Sequence, residues 1–490
     1  MTNINNTLTA KLKEILQHSF VYGLTASLQN ILGFLLLPLL TIYYTTESFG
    51  VYSLILLISA FASAVFYLGA SSALGRYYFD EDNEQYRKSI VSTTLFITII
   101  GAIILVLIAL FFSEKLSILI IGTSKYKIHF LLALISTAFN FIINALTLII
   151  RYEKKSLIYL TVSVLSVFIN FCITYILLTK YNFEILSPIY GALCANLLNL
   201  IILFLYNRKL LTLNINSDHI KKILKFGIPL CLSGLTYYTL DWVDRLIIKD
   251  ILNLSDVGIY SLGYRISAVI NVLYIAPFAL IWAPMRMQHS KSQDFNKLMT
   301  KVISYYSIIG FFIVLLLVFF GRELILLFFK NQSYNGAVKL LPILALAQLF
   351  YGYQNIVDYG IYISNKAYYY VIISIIGIIL NVVLNYYFIP KFGYIAAAYV
   401  TLITYIVNTV LIYLISGKFY HNKLEYNRLL SLFIYLIVAY TILSLNQEIN
   451  NYLLVKIILF VLSGIFIVKY WTTIQEKHFI KSLFKLKMKK

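Results

Sequence analysis

Residues 47–54 have the sequence ESFGVYSL, and residues 255–262 have the related sequence SDVGIYSL. A second pair of motifs, PIYGA at 188–192 and FGYIAA at 392–397, occurs in the same order. Each pair is separated by a little over 200 residues. The chain therefore contains two related halves, and this duplication predicts two copies of one helical bundle.

The residues around these motifs are predominantly apolar. The chain has 490 residues, of which 60% are hydrophobic and only 12% are charged, with a mean hydropathy of +0.83. A soluble domain carries roughly twice that charged fraction. The apolar residues occur in blocks of about twenty, the length at which a helix crosses the ~30 Å hydrocarbon core of a bilayer. These blocks predict fourteen spans, at 20–42, 51–73, 90–112, 128–150, 157–179, 188–206, 224–247, 258–281, 302–320, 338–360, 367–389, 394–415, 429–446 and 451–468.

The repeat divides the first twelve spans into two halves of six. Because six is even, both halves enter the membrane in the same orientation, related by an axis along the membrane normal. We therefore expect an all-α integral membrane protein with two pseudo-symmetric six-helix bundles around a central cavity, plus two C-terminal helices. The predicted segments are a cytoplasmic N-terminus (1–19), the first bundle (20–206), a cytoplasmic linker (207–223), the second bundle (224–416), the extra helices (417–470) and a basic amphipathic cytoplasmic tail (471–490).

The distribution of positive charge predicts the orientation. The loops on the side of the two termini hold 28 Lys and Arg residues, and the loops on the other side hold 10. By the positive-inside rule, both termini lie in the cytoplasm. The net charge of +20 therefore indicates membrane topology and excludes nucleic-acid binding. No outer loop exceeds about sixteen residues, which leaves no room for an extracytoplasmic catalytic domain, so we expect a transporter and not an enzyme.

Several motifs resemble one family of transporters. They are LLPLLTIY at 36–43, KFGIPL at 225–230, DRLII at 244–248, VGIYSLGYR at 257–265 and IPKFGYIAAA at 389–398. Together and in this order they are similar to the polysaccharide transporters (Wzx-type oligosaccharide flippases) of the multidrug/oligosaccharidyl-lipid/polysaccharide (MOP) exporter superfamily. The resemblance covers residues 20 to about 416, and the last two spans fit the extra pair of the fourteen-helix members.

This resemblance implies a flippase of the bacterial inner membrane. Its expected cargo is an undecaprenyl-diphosphate-linked oligosaccharide unit for O-antigen (lipopolysaccharide), capsule or exopolysaccharide, moved to the outer leaflet by alternating access. Its expected partners are the bilayer, a polysaccharide polymerase and glycosyltransferases of the cell envelope. Three alternatives stay open: a lipid II flippase or a drug or metabolite antiporter of the same superfamily, and a membrane polysaccharide polymerase or ligase. The lipid II alternative is weakened because residues 20–42 contain no charge, whereas that flippase has arginines in its first helix.

Ionisable groups within a span are costly and mark candidate sites. Asp241, Asp244 and Arg245 lie toward the outer end of the seventh predicted span, and Arg265 lies at matched depth in the eighth. One interpretation is an ion-pair network that pins this hairpin. The other is that Arg265 holds the cargo diphosphate through two N–H donors, with an acidic partner that releases it. Asp241 would then also be a candidate for ion coupling.

The remaining candidates lie at predicted helix ends or beside these charges. Arg76 and Arg286 hold near-equivalent places in the repeat, and both are predicted at the cytoplasmic mouth, either as anchors or as first contacts of the cargo. Asp358 is a second candidate for coupling to H⁺ or Na⁺. The sugar contacts are predicted at Tyr237, Tyr238 and Asn271.

We expect no catalytic residue, no metal site and no cofactor other than a coupled H⁺ or Na⁺. The three cysteines, Cys172, Cys194 and Cys231, fall inside apolar blocks, too far apart for a metal-binding motif. They are interpreted as small hydrophobic residues.

Overall fold

The computed structural model describes the chain from residue 28 to residue 471, and residues 21, 23 and 25 before it, with a few gaps. The gaps are residues 209, 211–214, 291, 293, 330, 365, 421–423 and 446–451, and the side chains of 232–234, 236–238, 241, 444, 445 and 468 are also outside the description. The predicted N-terminus (1–19) and nearly all of the predicted tail (471–490) therefore lie outside the described residues.

Every regular element in the described part of the chain is helical, which confirms the all-α prediction. The helices are α1 (Leu28–Tyr43), α2 (Thr46–Phe66), α3 (Ala70–Tyr77), α4 (Glu84–Ile121), α5 (Lys127–Tyr152), α6 (Ser156–Tyr181), α7 (Leu186–Asn207), α8 (Ser217–Ile251), α9 (Leu254–Ser267), α10 (Ala276–His289), α11 (Phe295–Phe328), α12 (Leu340–Val357), α13 (Tyr359–Ile363), α14 (Tyr368–Phe392), α15 (Tyr394–Gly417), α16 (Tyr426–Leu445) and α17 (Leu453–Trp471).

By length and composition, 12 spans of the described chain can cross a membrane. Some of these are composite, since α9 and α10 together form one span. The other two predicted spans correspond to α1, whose described part is shorter than a full span, and to α8. Several side chains of α8 lie outside the described residues. The predicted count of fourteen thus remains a prediction.

The exposed surfaces of the long helices require lipid. The most apolar stretch of α6 has a mean hydropathy of 2.1, yet only 11% of it is buried. In α4, Phe111 and Leu119 are 74% and 73% exposed. Apolar surface of this extent is not left in water by a soluble protein. The chain is therefore a multi-pass membrane protein.

The chain divides into two compact units, Met1–Ser261 and Leu262–Lys490. In the first unit, α4, α5 and α7 pack side by side, and α6 packs on α7. In the second, α12 packs against α15 and α11, while α16 and α17 pack on α11. The predicted halves, divided by a linker at 207–223, rest on the sequence repeat and stay a prediction.

The two copies of the repeated motif contact each other within the first unit. A Cβ on Gly50 of α2 would overlap the carbonyl oxygen of Leu254, and a Cβ on Gly258 of α9 would overlap the carbonyl oxygen of Thr46. The Thr46 and Ser255 hydroxyls are hydrogen-bonded at the same crossing. Small residues allow two backbones to approach closely in a membrane protein. The repeated glycine is thus explained by a reciprocal helix crossing.

A second close approach explains the glycine of the KFGIPL motif. Gly69 follows α2 with φ of +64°, a left-handed conformation that favours glycine. A Cβ on Gly69 would overlap the carbonyl oxygen of Gly227 in α8, and a Cβ on Gly227 would overlap that of Leu68. This contact holds the turn between α2 and α3 against α8.

We predict that Gly50→Ala destabilises the protein by about 1–3 kcal/mol, because the added methyl forces α2 away from α9. Gly258→Ala should have a similar effect. The measurement is thermal stability and monodispersity of the purified protein in detergent. Gly33→Ala is the matched control, because no atom of the described residues lies within 4 Å of a Cβ on Gly33. Equal stability of all three variants would contradict the close crossing.

Candidate functional site

Two charged residues of α8, Asp244 and Arg245, are buried and form hydrogen bonds with residues of α9. Asp244 is 1% exposed, and its Oδ2 accepts a hydrogen bond of 2.6 Å from the Tyr260 hydroxyl. Arg245 is 7% exposed, and its Nε donates to the Ser261 hydroxyl at 3.2 Å. Both bonds join α8 to α9. Asp244 and Arg245 thus connect the two helices through hydroxyl groups, and the predicted ion-pair network stays a prediction.

Arg265 lies in the last turn of α9 and is half-buried. Its neighbours anchor this turn on α12, since Gln348 Nε2 donates to the Tyr264 hydroxyl at 3.1 Å and the Ser267 hydroxyl donates to the Leu341 carbonyl at 3.1 Å. The side chain of Asp241 is outside the described residues. The predicted pairing of Asp241 with Arg265 therefore stays a prediction, as do the contacts predicted for the side chains of Tyr237 and Tyr238.

Arg286 is the centre of a buried polar cluster in the second unit. It is 7% exposed, lies in the last turn of α10, and donates through Nη1 to Asp358 Oδ1 at 2.5 Å and to the Asn355 carbonyl at 3.1 Å. The ring of Tyr362 lies 4.6 Å from the guanidinium carbon, a distance typical of a cation–π contact. Its Nε is buried without a hydrogen-bond partner among the described residues.

Asp358 is placed by the break between two helices. It follows α12 and precedes the five-residue α13, so its side chain leaves the axis of α12 at its C-terminal end. One carboxylate oxygen binds Arg286, and the other accepts a hydrogen bond of 2.8 Å from the Tyr370 hydroxyl at the start of α14. Asp358 thus joins three segments of the chain through one buried carboxylate.

Arg76 differs from Arg286, although the repeat predicts them as equivalent. Arg76 is exposed in the last turn of α3, and its guanidinium carbon lies 5.3 Å from the ring centroid of Phe226. Phe226 belongs to the KFGIPL motif. Arg76 is therefore accessible for a phosphate, whereas Arg286 is already engaged by a carboxylate.

Asn271 begins a single π-helical turn, Asn271–Ile275, between α9 and α10, and is half-buried. Single π turns are rare and frequently occur at functional sites. Pro277 follows this turn, and because proline has no N–H it cannot make the ordinary i→i−4 bond to Leu273. That proline is the signal from which this interruption could have been predicted.

Sequence reasoning missed the residues that surround Arg286 and Asp358. Asn355, Tyr362 and Tyr370 contact the pair, Asn355 through its main-chain carbonyl, and none of the three is a predicted site residue. Arg286 and Asp358 are 72 residues apart in the sequence, whereas the repeated motifs are a little over 200 residues apart. Their pairing follows from the packing of α10 beside α12, which no motif encodes.

Within the described residues, no three His, Cys, Asp or Glu side chains come together as metal ligands. The three cysteines, Cys172, Cys194 and Cys231, are half-buried and not joined by disulfides. The Cys231 thiol lies 2.8 Å from the carbonyl oxygen of Ala64. The side chains that form the Arg286 cluster are those of arginine, aspartate and tyrosine.

Comparison with solved structures identifies the fold. The structure titled "Lipid II flippase MurJ, inward closed conformation" superposes with a TM-score of 0.74 at 18% identity, covering 93% of this chain and 99% of that one. An inward-facing multidrug resistance MATE family transporter of the MOP superfamily gives a TM-score of 0.66 at 14% identity, covering 81% of this chain and 94% of that one. The fold is therefore the one shared by MurJ and MATE transporters.

Sequence comparisons identify the family. An uncharacterized membrane protein of Methanocaldococcus jannaschii is 27% identical over 195 residues, which are 39% of this chain and 45% of that protein. The match thus spans less than half the length of this curated relative. The family described as "Polysaccharide biosynthesis protein" matches residues 15–290, more than half of the chain. The chain belongs to this polysaccharide biosynthesis family and has the fold of the MOP-superfamily transporters.

Proposed function

We propose that this protein is a flippase for undecaprenyl-diphosphate-linked oligosaccharide units, which it moves from the cytoplasmic to the outer leaflet by alternating access. One observation carries the proposal: a polysaccharide biosynthesis chain has the fold of a lipid II flippase over 93% of its length. Lipid II and the proposed cargo share a polyprenyl diphosphate that bears a sugar headgroup. The fold thus suits a lipid-linked sugar as cargo, and the family suggests that this sugar is used in polysaccharide biosynthesis.

The chemistry of Arg286 supports an anionic cargo. An arginine stays charged when it is desolvated, and its planar fork grips phosphate oxygens through paired N–H groups. Asp358 now occupies one side of that fork, while the buried Nε has no partner among the described residues. A diphosphate would compete with Asp358 for the guanidinium. Arg76 and Arg265 are proposed as further phosphate contacts, with Asp244, Asn271, Tyr237 and Tyr238 as weaker cargo-site candidates.

The same exchange supplies a route to ion coupling. When a phosphate takes the place of the Asp358 carboxylate on Arg286, this buried carboxylate loses its counter-charge. The loss favours uptake of a proton or Na⁺ by Asp358. Asp358 is therefore our principal candidate for coupling, and Asp241 is the second. Release of that ion would restore the ion pair with Arg286 and help to expel the cargo.

A lipid II flippase is the second candidate function, because the MurJ structure superposes with a TM-score of 0.74. A drug or metabolite antiporter is supported less, by the TM-score of 0.66 for the MATE transporter. We place the protein in the bacterial plasma membrane with both termini in the cytoplasm, from the charge bias of its loops. A polymerase and glycosyltransferases of the same pathway are its proposed partners.

A complementation experiment separates the candidate cargoes. We predict that the gene restores surface polysaccharide in a host that lacks its own lipid-linked oligosaccharide flippase, and does not support growth of a strain depleted of its lipid II flippase. The measurements are immunoblotting of surface polysaccharide and viability counts. Rescue of growth alone would assign lipid II as the cargo.

Paired substitutions test whether Arg286 acts on cargo. Asp358→Asn should destabilise the protein by about 3–5 kcal/mol, because Arg286 then stays buried without its counter-charge. Arg286→Gln combined with Asp358→Asn should recover thermal stability, since neither charge remains. We predict that this double variant still fails to make surface polysaccharide. Full polysaccharide from the stable double variant would limit the pair to a structural role.

Arg265 is tested by a graded series. We predict that Arg265→Ala abolishes surface polysaccharide at normal protein levels, and that Arg265→Lys retains a small part of it, because lysine keeps the charge but lacks the two-pronged fork. The measurements are polysaccharide immunoblots normalised to protein in the membrane fraction. Unchanged polysaccharide in Arg265→Ala would remove this residue from the site.

A further inference from the structure

A second cationic site lies in the Leu262–Lys490 unit, at the end of α12 away from Asp358. It is a cavity of about 550 Å³ lined by side chains of α11, α16, α17 and the 3₁₀ helix Gln332–Lys339. Three of the lining side chains are cationic, namely Arg322, Lys339 and Lys456. The described lining contains no carboxylate. We call this space the α11–α17 cavity.

The three cations are held in different ways. Lys456 is fully buried, and its Nζ donates to Glu323 Oε1 at 2.7 Å, so that charge is compensated by a carboxylate outside the lining. Arg322 and Lys339 are exposed residues. Both side chains are therefore accessible to a ligand that enters the cavity, whereas Lys456 is fixed by its ion pair.

Helix dipoles also contribute positive potential at the cavity. Lys339 and Pro342 bring the N-terminus of α12 to the cavity, and Lys456 lies in the first turn of α17. The N-terminal ends of helices carry partial positive charge and favour anions. Two helix N-termini and two accessible cations thus converge on one cavity.

The rest of the lining is apolar. Val338, Leu443 and Leu326 all line the cavity, and Leu326 is 51% exposed. A small soluble anion gains nothing from such a surface, whereas an amphiphile places its headgroup against the cations and its chain against the leucines. Basic pockets between transmembrane helices are typical binding sites for anionic lipid headgroups.

We infer that the α11–α17 cavity binds the phosphate of a lipid headgroup, in the leaflet opposite to the Arg286 cluster. The eighteen residues of α12 separate the two places by roughly 27 Å along the helix, close to the thickness of a hydrocarbon core. Arg322 and Lys339 contact the phosphate oxygens, and the apolar lining takes the first part of the chain. This inference concerns lipid binding and does not depend on which cargo the protein moves.

The test is lipid binding by the full-length protein in a neutral detergent. Phosphatidic acid is titrated against diacylglycerol with the same chains, and bound lipid is counted by native mass spectrometry. We expect phosphatidic acid to bind and the Arg322→Gln/Lys339→Gln variant to bind it about tenfold more weakly or worse. The matched control, Lys297→Gln/Lys391→Gln, also loses two exposed cations but lies outside the lining, and should bind as the unmodified protein does.

Inorganic phosphate distinguishes the source of the ligand. Competition only at large excess supports a lipid phosphate, whereas tight binding of inorganic phosphate that the Arg322→Gln/Lys339→Gln variant loses would overturn the lipid assignment. Equal binding of phosphatidic acid by this variant, equal losses in the control, or equal binding of diacylglycerol would each overturn the proposed site. None of these outcomes bears on the complementation result, so the lipid site and the proposed cargo are tested independently.

Discussion

A charge inside hydrocarbon is costly unless a fixed partner compensates it, and three buried charged residues of the described structure have such partners. Asp244 receives the Tyr260 hydroxyl, Arg286 binds Asp358, and Lys456 binds Glu323. Each of these bonds joins different segments of the chain. The few charges that the apolar sequence retains therefore serve as fixed points between helices, and the apolar side chains around them face lipid or one another. Removing one member of a pair leaves the other uncompensated, which is more costly than removing both.

Much of this architecture could be predicted from the sequence. Apolar blocks of spanning length indicated the helices, because a bilayer of fixed thickness imposes one length on every crossing. Gly50 and Gly258 hold the same place in the repeated motif, and the reciprocal contact of α2 with α9 gives the physical reason for glycine at both positions. The pairing expected between Asp241 and Arg265 at matched depth stays a prediction. The hydrogen bonds that join α8 to α9 use the Tyr260 and Ser261 hydroxyls instead.

The Arg286 cluster could not be predicted, for reasons that lie in packing. Its ion pair joins residues separated by 72 positions, and its geometry depends on a break in helix α12 at Asp358. The repeat suggested that Arg76 and Arg286 share one role, but duplicated positions diverge once their neighbours differ. Arg76 lies over the ring of Phe226 at the surface, whereas Arg286 is enclosed by Asn355, Asp358 and Tyr362. Sequence spacing identifies candidate charges, but only tertiary packing decides which of them meet.

A buried ion pair is also well suited to the proposed transport of an anionic headgroup. A buried arginine without a counter-ion would cost several kcal/mol of desolvation whenever no cargo is bound. Asp358 removes that cost by acting as a surrogate anion when no cargo is bound. When a diphosphate takes its place, one anion is exchanged for another, so the energy of the guanidinium changes little. Tight binding would slow release, whereas an exchange of nearly equal partners permits rapid capture and rapid loss. The same pair that stabilises the helices can therefore set the affinity of the cargo site.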